Sequence, residues 1–125
     1  MKLELRGVLP SNNVLLRMHW TKRRKLIETW AWLLKYWLIE TKQNHSKFKA
    51  PVVLSLTVYR KDKRGFMDDS NLIASADKLI VDNLVKLKIL VDDSEEMLTW
   101  TKPVQLIGNP ERVTVEIEEW QKERT

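Results

Sequence analysis

The chain has 125 residues, enough for one domain with its own core, so we predict a single domain over residues 1–125. It contains no cysteine, which excludes disulfides, zinc–thiolate sites, iron–sulfur clusters and thiol nucleophiles. Glu28 and Lys35 interrupt the longest apolar stretch, near residues 26–39. We therefore predict a cytoplasmic globular protein that does not enter a membrane.

Charge is distributed unevenly along the chain. Residues 1–64 contain 15 Lys/Arg and four Asp/Glu, whereas residues 65–125 contain seven Lys/Arg and 13 Asp/Glu. A basic half favours a polyanionic partner, and an acidic half can hold a cation. The pattern fits an enzyme that hydrolyses nucleic acid with a metal ion. From charge alone, an ordinary basic protein with unevenly placed surface charge is the favoured interpretation.

The first half of the chain predicts a strand, a long helix and a second strand. Residues 2–8 alternate polar and apolar side chains, as a half-buried strand does. Residues 10–13 (PSNN) favour a turn, and apolar side chains at helical spacing predict a helix over about 21–42. After a polar loop over residues 43–50, residues 52–59 form the most strand-like stretch of the chain.

The second half predicts one helix and two strands. A basic loop over residues 60–66 precedes a helix over about 70–87. An acidic turn over 92–96 leads into a strand near 97–106, and residues 112–118 alternate as the last strand. The predicted fold class is α+β, a small mixed sheet with two main helices packed on it in the order β-α-β-α-β-β.

Two acidic clusters flank the predicted second helix. Asp68 and Asp69 precede it, and Asp92 and Asp93 follow it. Carboxylate oxygens are ligands that Mg²⁺ prefers, so both clusters are candidate cation ligands. Taken singly, either pair is also typical of a helix cap or a solvated turn.

A polar stripe is predicted along the same helix. At ~100° per residue, Asn71, Ser75, Lys78 and Asp82 fall within a stripe about 60° wide. The stripe is either a solvated face with a Lys78–Asp82 pair, or a surface on which Lys78 touches a phosphate oxygen.

Residues before, within and after this helix form an ordered set of motifs: residues 68–72 (DDSNL), Lys78, Asp82 with Leu84, and residues 90–93 (LVDD). They resemble the core motif of the RusA family of Holliday junction resolvases, which reads D-x-D-N-L, a lysine, a D-A-L-like step and D-D. Residues 9–13 (LPSNN) and 17–25 (RMHWTKRRK) also resemble the opening and the basic segment of phage-borne members.

The resemblance implies a Mg²⁺-dependent endonuclease, for which Mn²⁺ can substitute. It would act as a homodimer on branched DNA, such as the four-way junctions of DNA recombination and repair. Carried over by position, the catalytic residues are Asp68, Lys78 and Asp93. The metal ligands would be Asp68 and Asp93, with Asp69 or Asp92.

Ser70 departs from the family motif, because it stands where the family has its second aspartate. A serine ligates only as a neutral oxygen and binds Mg²⁺ weakly. Asp69 can take its place if the backbone turns there. The runner-up interpretation is therefore a non-catalytic DNA-binding protein of the same fold with a degraded metal site.

The length of the predicted helix constrains where the carboxylates can meet. A helix from Ser70 to Leu87 is roughly 27 Å long at ~1.5 Å per residue. The connection from Lys88 to Asp93 reaches back at most about 18 Å. A straight helix therefore keeps Asp68 and Asp93 of one chain apart. Either the helix ends or bends early, or two chains of an antiparallel dimer share the site.

Polar and basic side chains around the motifs are candidate DNA contacts, since Lys and Arg neutralise phosphates without reading sequence. They are Asn12, Asn13, Arg17, His19, Lys22, Arg23, Arg24, Lys25, Lys61, Lys63, Arg64 and Asn71, with Arg60 beside them. Trp20 is a candidate for stacking on an unpaired base.

Trp30, Trp37 and Trp120 are expected in the core or in a dimer contact. The apolar face of the first helix is expected to cover the sheet rather than a membrane.

Overall fold

The described residues form one five-stranded mixed sheet and three helices, and this α+β class is the one that the sequence predicts. The computed structural model describes residues 1–42, 48–49, 51–94 and 96–120. Most of the predicted loop over residues 43–50, and Glu95 of the acidic turn, lie outside the described residues. The chain order is β-α-α-β-α-β-β-β, which adds one short helix and one strand to the predicted order.

The strands are β1 (Lys2–Arg6), β2 (Val52–Arg60), β3 (Leu98–Trp100), β4 (Val104–Ile107) and β5 (Arg112–Glu119). β5 lies between β1 and β2 and runs antiparallel to both, with Val115 opposite Leu3 and Leu56. β3 and β4 pair in succession with the other edge of β2, and both run parallel to it. The long central strand β2 therefore holds the sheet together.

The single strand predicted near residues 97–106 is two strands instead. Leu54 of β2 is opposite Trp100, and Thr57 is opposite Val104, so the edge chain has one residue more than β2 between these two pairs. Pro103 lies in this interruption and has no N–H to donate to a ladder. The extra residue and the proline explain why the strand is broken.

The first two helices follow β1. α1 spans Asn12–Arg17 and begins at Ser11, whose side chain accepts a 3.2 Å hydrogen bond from the N–H of Val14. α2 spans Trp20–Thr41 and begins at His19. The sequence predicts a turn where α1 lies. The serine cap and the buried Leu15 explain why this stretch completes a helix.

The third helix consists of three continuous segments, which we call together the motif helix. They are α3 (Asp69–Ala76), a π-helical segment (Asp77–Val81) and α4 (Asp82–Lys86). The N–H of Asp82 bonds to the carbonyl of Asp77, five residues back, as in a π turn. The predicted helix over 70–87 therefore exists, with a wider turn in its middle.

The π segment changes which residues of the motif helix face the core. Leu79, Ile80 and Val81 are all buried, although three successive residues of a regular α-helix spread over about 200°. Ser75 is also fully buried. The prediction that Ser75 lies on an open polar stripe is therefore wrong, because most of the circumference of this helix is covered.

The core lies between one face of the sheet and the helices. Its largest buried side chains come from the sheet (Leu3, Leu5, Leu54 and Leu56), from α2 (Trp30 and Leu34) and from the motif helix (Leu72, Leu79, Ile80 and Leu84). Trp30 is buried and Trp37 packs against the core, as predicted, whereas Trp120 is exposed.

A buried amide fixes α2 to the motif helix. Asn83 Nδ2 donates hydrogen bonds to the carbonyls of Ile27 (3.2 Å) and Leu79 (2.7 Å). The inner side of α2 therefore lies directly on the helix that carries the predicted motif.

Among the described residues, no helix is both long and apolar enough to cross a membrane.

Candidate functional site

The first acidic cluster lies at the exposed start of the motif helix. Asp68 precedes α3 and accepts hydrogen bonds from the hydroxyl of Ser70 (2.5 Å) and the side-chain amide of Asn71. These two hydrogen bonds lower the pKa of Asp68, because they stabilise its ionised form. Asp69 is exposed in the first turn of α3. The Asp68 carboxylate is therefore charged, but its own turn supplies its partners.

The second acidic cluster lies beyond the other end of the helix. Asp92 Oδ1 accepts a 2.7 Å hydrogen bond from the N–H of Ser94, and contacts with Ser94 lower the pKa of Asp92. Asp92 therefore shapes the turn. Asp93 is exposed, and its negative charge helps to raise the pKa of two aspartates of the motif helix, Asp77 and Asp82.

Asp77, Asp82 and Asp93 form what we call the carboxylate cluster. Burial raises the pKa of Asp82, and the negative charges of Asp93 and Asp77 raise it further. A protonated Asp82 can donate a hydrogen bond to the Asp93 carboxylate. Two neighbouring carboxyl groups repel each other unless a proton or a cation neutralises one of them.

The π segment brings Asp77 and Asp82 together. Residues five apart in a regular α-helix point about 140° apart, whereas a π turn brings them to the same side of the helix. Burial raises the pKa of Asp77 as well, against the effect of a 2.7 Å hydrogen bond that Trp100 Nε1 donates to Asp77 Oδ1. Sequence reasoning missed Asp77, because α-helical spacing places it on a different side from Asp82.

Asp68 and Asp93 of one chain lie far apart. The 14 residues from Asp68 to Asp82 are helical and correspond to roughly 20 Å along the axis, and Asp93 contacts Asp82. The helix neither ends nor bends early enough to remove this separation. The structure therefore does not bring these two predicted ligands together within one chain.

Two members of the carboxylate cluster, Asp82 and Asp93, have the oxygen donors that a divalent cation prefers. Across residues 1–42, 48–49, 51–94 and 96–120, no three His, Cys, Asp or Glu side chains form a group that could hold a metal ion. Mg²⁺, however, keeps several waters and is usually bound through one or two carboxylates plus substrate phosphates. The Asp82–Asp93 pair supplies that number of carboxylates.

Lys78 is held by the opening motif of the chain. Its Nζ donates a 2.8 Å hydrogen bond to Asn12 Oδ1, at the start of α1. Asn12, a predicted DNA contact, therefore positions the predicted catalytic lysine. Lys78 is half-buried and contacts Asn12 rather than forming the alternative pair with Asp82.

Arg60 is a structural residue and not a surface contact for DNA. It is buried at the end of β2, and its guanidinium donates a hydrogen bond to the carbonyl of Leu9. Burial lowers the pKa of Arg60, against the opposing effect of the Glu111 charge. The hydrogen bond fixes the chain just before Ser11 and Asn12, and so supports the Asn12–Lys78 contact.

Gln105 is a second residue that sequence reasoning missed. Its Oε1 accepts a 2.9 Å hydrogen bond from the N–H of Met67, and its Nε2 donates a 2.5 Å hydrogen bond to the Met67 carbonyl. One side chain of β4 therefore satisfies both backbone groups of the residue before Asp68. No local pattern predicts this contact, because 38 residues separate the two positions.

The predicted DNA contacts divide into two groups. Four of them make internal contacts: Asn12 with Lys78, His19 as the cap of α2, Arg23 with the carbonyls of Leu16 and Met18, and Asn71 with Asp68. The remaining eight are exposed: Asn13, Arg17, Lys22, Arg24, Lys25, Lys61, Lys63 and Arg64. Lys63 and Arg64 lie in a short 3₁₀ turn (Lys63–Gly65) shortly before Asp68, and Lys61 precedes this turn.

No protein-family model matches this chain, and no curated protein matches it in sequence.

Proposed function

We propose that the protein is a Mg²⁺-dependent endonuclease that cleaves branched DNA, such as four-way junctions, as a cytoplasmic homodimer in DNA recombination and repair. The observation that carries the proposal is the approach of Asp93 to Asp82 beside Asp77. Carboxyl groups so close to one another favour either a shared proton or a divalent cation. The motif resemblance and the basic first half of the chain support DNA as the substrate.

In the proposed site, Asp82 and Asp93 would hold the ion. When bound there, Mg²⁺ would supply Lewis-acid activation of water and of the scissile phosphate. Lys78 neutralises negative charge that develops on the phosphate, and Asn12 orients its ammonium group. The exposed Lys61 and its basic neighbours, ahead of Asp68, bind backbone phosphates irrespective of sequence.

Asp68 takes part from the partner subunit of the proposed homodimer. Within one chain it is roughly 20 Å from Asp82, along the continuous motif helix. A two-fold axis with antiparallel motif helices sets Asp68 of one chain beside Asp93 of the other. The hydrogen bonds from Ser70 and Asn71 keep Asp68 ionised for that role.

A non-catalytic DNA-binding protein is the second candidate. The observation that favours it is the position of the Ser70 hydroxyl, which is used as a donor to Asp68. Ser70 thereby supports a carboxylate but does not replace the missing one. The same basic surfaces would then bind branched DNA without cutting it.

One experiment separates the two candidates. A synthetic four-way junction is incubated with the wild-type protein and Mg²⁺ or Mn²⁺, with EDTA in parallel reactions. The proposed endonuclease produces metal-dependent nicks, and Asp93→Asn prevents them while binding is retained. Glu118→Gln, a change at an exposed carboxylate on β5, is the matched control. A gel shift without nicks in any metal contradicts the endonuclease and supports the second candidate.

A further inference from the structure

The outer face of α2 carries large side chains that the core does not use. Trp32, Tyr36 and Ile39 are 70%, 63% and 68% exposed. Their spacing of four and three residues places them on one stripe of the helix, opposite the buried Trp30 and Leu34. The apolar face that is expected to cover the sheet is therefore only one of two sides of α2 that carry large apolar side chains.

Basic side chains accompany these aromatic rings. α2 contains five Lys/Arg and two Glu, and one of the two glutamates, Glu28, lies 3.5 Å from Arg24. Lys25 falls on the same stripe as Trp32 and Tyr36, and Lys35 Nζ lies 5.6 Å from the centroid of the Trp32 ring. The outer face of α2 is thus both aromatic and positively charged.

This charge favours a nucleic acid over a second copy of the chain. The outward-facing side of α2 carries four exposed basic side chains (Lys22, Arg24, Lys25 and Lys35) and two exposed glutamates (Glu28 and Glu40). A two-fold contact would therefore set two net positive patches against each other. A phosphate backbone neutralises them. Duplex DNA hides the faces of its bases, whereas a single strand exposes them for stacking on aromatic side chains.

We propose that the outer face of α2 binds single-stranded DNA, with Trp32 and Tyr36 stacking on bases and Lys25 and Lys35 contacting phosphates. The proposal rests on the proposed nuclease function for its biological substrate, which becomes a branch with an unpaired arm, such as a fork or a flap. The Asn83 contact with Ile27 places the inner side of α2 on the motif helix. An arm bound to α2 therefore runs about one helix diameter, ~10 Å, from that helix.

The test measures binding in EDTA, so that it does not depend on cleavage. Fluorescence anisotropy compares a labelled oligothymidine, a fork with one single-stranded arm and a fully paired four-way junction. Trp32→Ala with Tyr36→Ala is expected to weaken binding of the oligothymidine and the fork by roughly tenfold or more. The four-way junction is expected to bind as before. Trp120→Ala is the matched control, because Trp120 is 55% exposed and lies outside α2.

The lysines give a second readout. Lys25→Ala with Lys35→Ala should flatten the dependence of single-strand affinity on salt, by about 0.7 in the log–log slope for each contact removed. An unchanged slope contradicts the assigned phosphate contacts. Circular dichroism verifies that each variant is folded, as expected for changes at exposed positions.

Three results would overturn the proposal. The first is unchanged single-strand affinity in the Trp32/Tyr36 variant. The second is an equal loss on the fully paired junction. The third is a dimeric wild type in sedimentation together with a monomeric Trp32/Tyr36 variant, which would show that this face is an interface between two copies of the chain. A wild-type protein that binds the fork through α2 but never cuts DNA contradicts the endonuclease alone.

Discussion

The two ends of the motif helix carry the same residue type in opposite electrostatic states. At its start, donors from its own turn surround Asp68 and lower its pKa. Near its end, burial and neighbouring carboxylates raise the pKa of Asp77 and Asp82. An aspartate with its own donors is stable without a ligand, whereas two neighbouring carboxyl groups repel each other unless a proton or a cation neutralises one of them. In the proposed site, the surroundings of each carboxylate, more than its place in the motif, decide which end of the helix would hold the ion.

The largest expected effect follows from removing a member of the Asp82–Asp93 pair. Asp93→Asn and Asp82→Asn each take one charged ligand from the proposed ion and should reduce Mg²⁺-dependent cleavage by about 100-fold or more. Junction affinity in EDTA should stay the same, because the basic surfaces are untouched. Gel-based cleavage and anisotropy measure the two effects. Cleavage at the wild-type rate by either variant would place the ion elsewhere.

Subunit mixing tests whether the two ends of the helix meet across a dimer. Asp68→Asn and Asp93→Asn homodimers should both be inactive. A mixed dimer collects both changes in one shared site and leaves the other site intact, so cleavage should return to about a quarter of the wild-type level after random mixing. If the mixed preparation stays inactive, each site is built within one chain.

A smaller effect is expected from loosening the start of the helix. Gln105→Leu removes both hydrogen bonds to the backbone of Met67 and should cost about 1–2 kcal/mol of unfolding free energy. Urea denaturation measures the loss, and Val104→Ala, at an exposed position on the same strand, is the control. Gln105→Glu keeps the acceptor but sets a carboxylate oxygen against the Met67 carbonyl, so it should also be less stable than the wild type. Equal stability of Gln105→Leu and the wild type would show that the two hydrogen bonds from Gln105 to Met67 do not stabilise the fold.

The smallest expected effect is on thermal stability. Asp82→Asn and Asp68→Asn should change the melting temperature in opposite directions. A raised pKa means that Asp82 favours the folded state when protonated, and this stability is lost as pH rises through that pKa. Asp82→Asn should therefore raise the melting temperature by a few degrees at neutral pH in EDTA. A lowered pKa means that Asp68 favours the folded state when ionised, above its ordinary pKa, so Asp68→Asn should lower it.

Calorimetry at pH 7 and at pH 3 checks this prediction. The gain from Asp82→Asn should disappear at the lower pH, where the wild-type carboxyl is already protonated. Shifts of the same sign for the Asp68 and Asp82 variants would remove the electrostatic contrast between the two ends.

Local patterns in the sequence predict much of the fold. β1 and β5 lie where alternation places them, and α2 lies where helical spacing places it, because both periods report which side of an element is buried. β2 lies in the most strand-like stretch of the chain. The π segment could not be predicted in this way, since it depends on packing around Leu79–Val81. The break at Pro103 had a local signal in the proline itself.

The site was only partly accessible to the same reasoning. Asp93 and Lys78 are singled out by charge and motif, and the structure gives each a specific neighbour, Asp82 and Asn12. Asp77 was missed because α-helical spacing is the wrong period for a π turn. The hydrogen bonds between Gln105 and Met67 were missed because they join elements far apart in sequence, and neither composition nor spacing predicts such a contact.

Direct binding of Mn²⁺ is the measurement that tests the central claim, that the Asp82–Asp93 pair holds a cation. Electron paramagnetic resonance of free Mn²⁺, titrated with protein and without DNA, reports bound ion independently of cleavage. We expect the wild type and Glu118→Gln to bind Mn²⁺ equally, and Mg²⁺ to displace it. Asp82→Asn and Asp93→Asn should each lose this binding. Full Mn²⁺ binding by both of these variants would contradict the account.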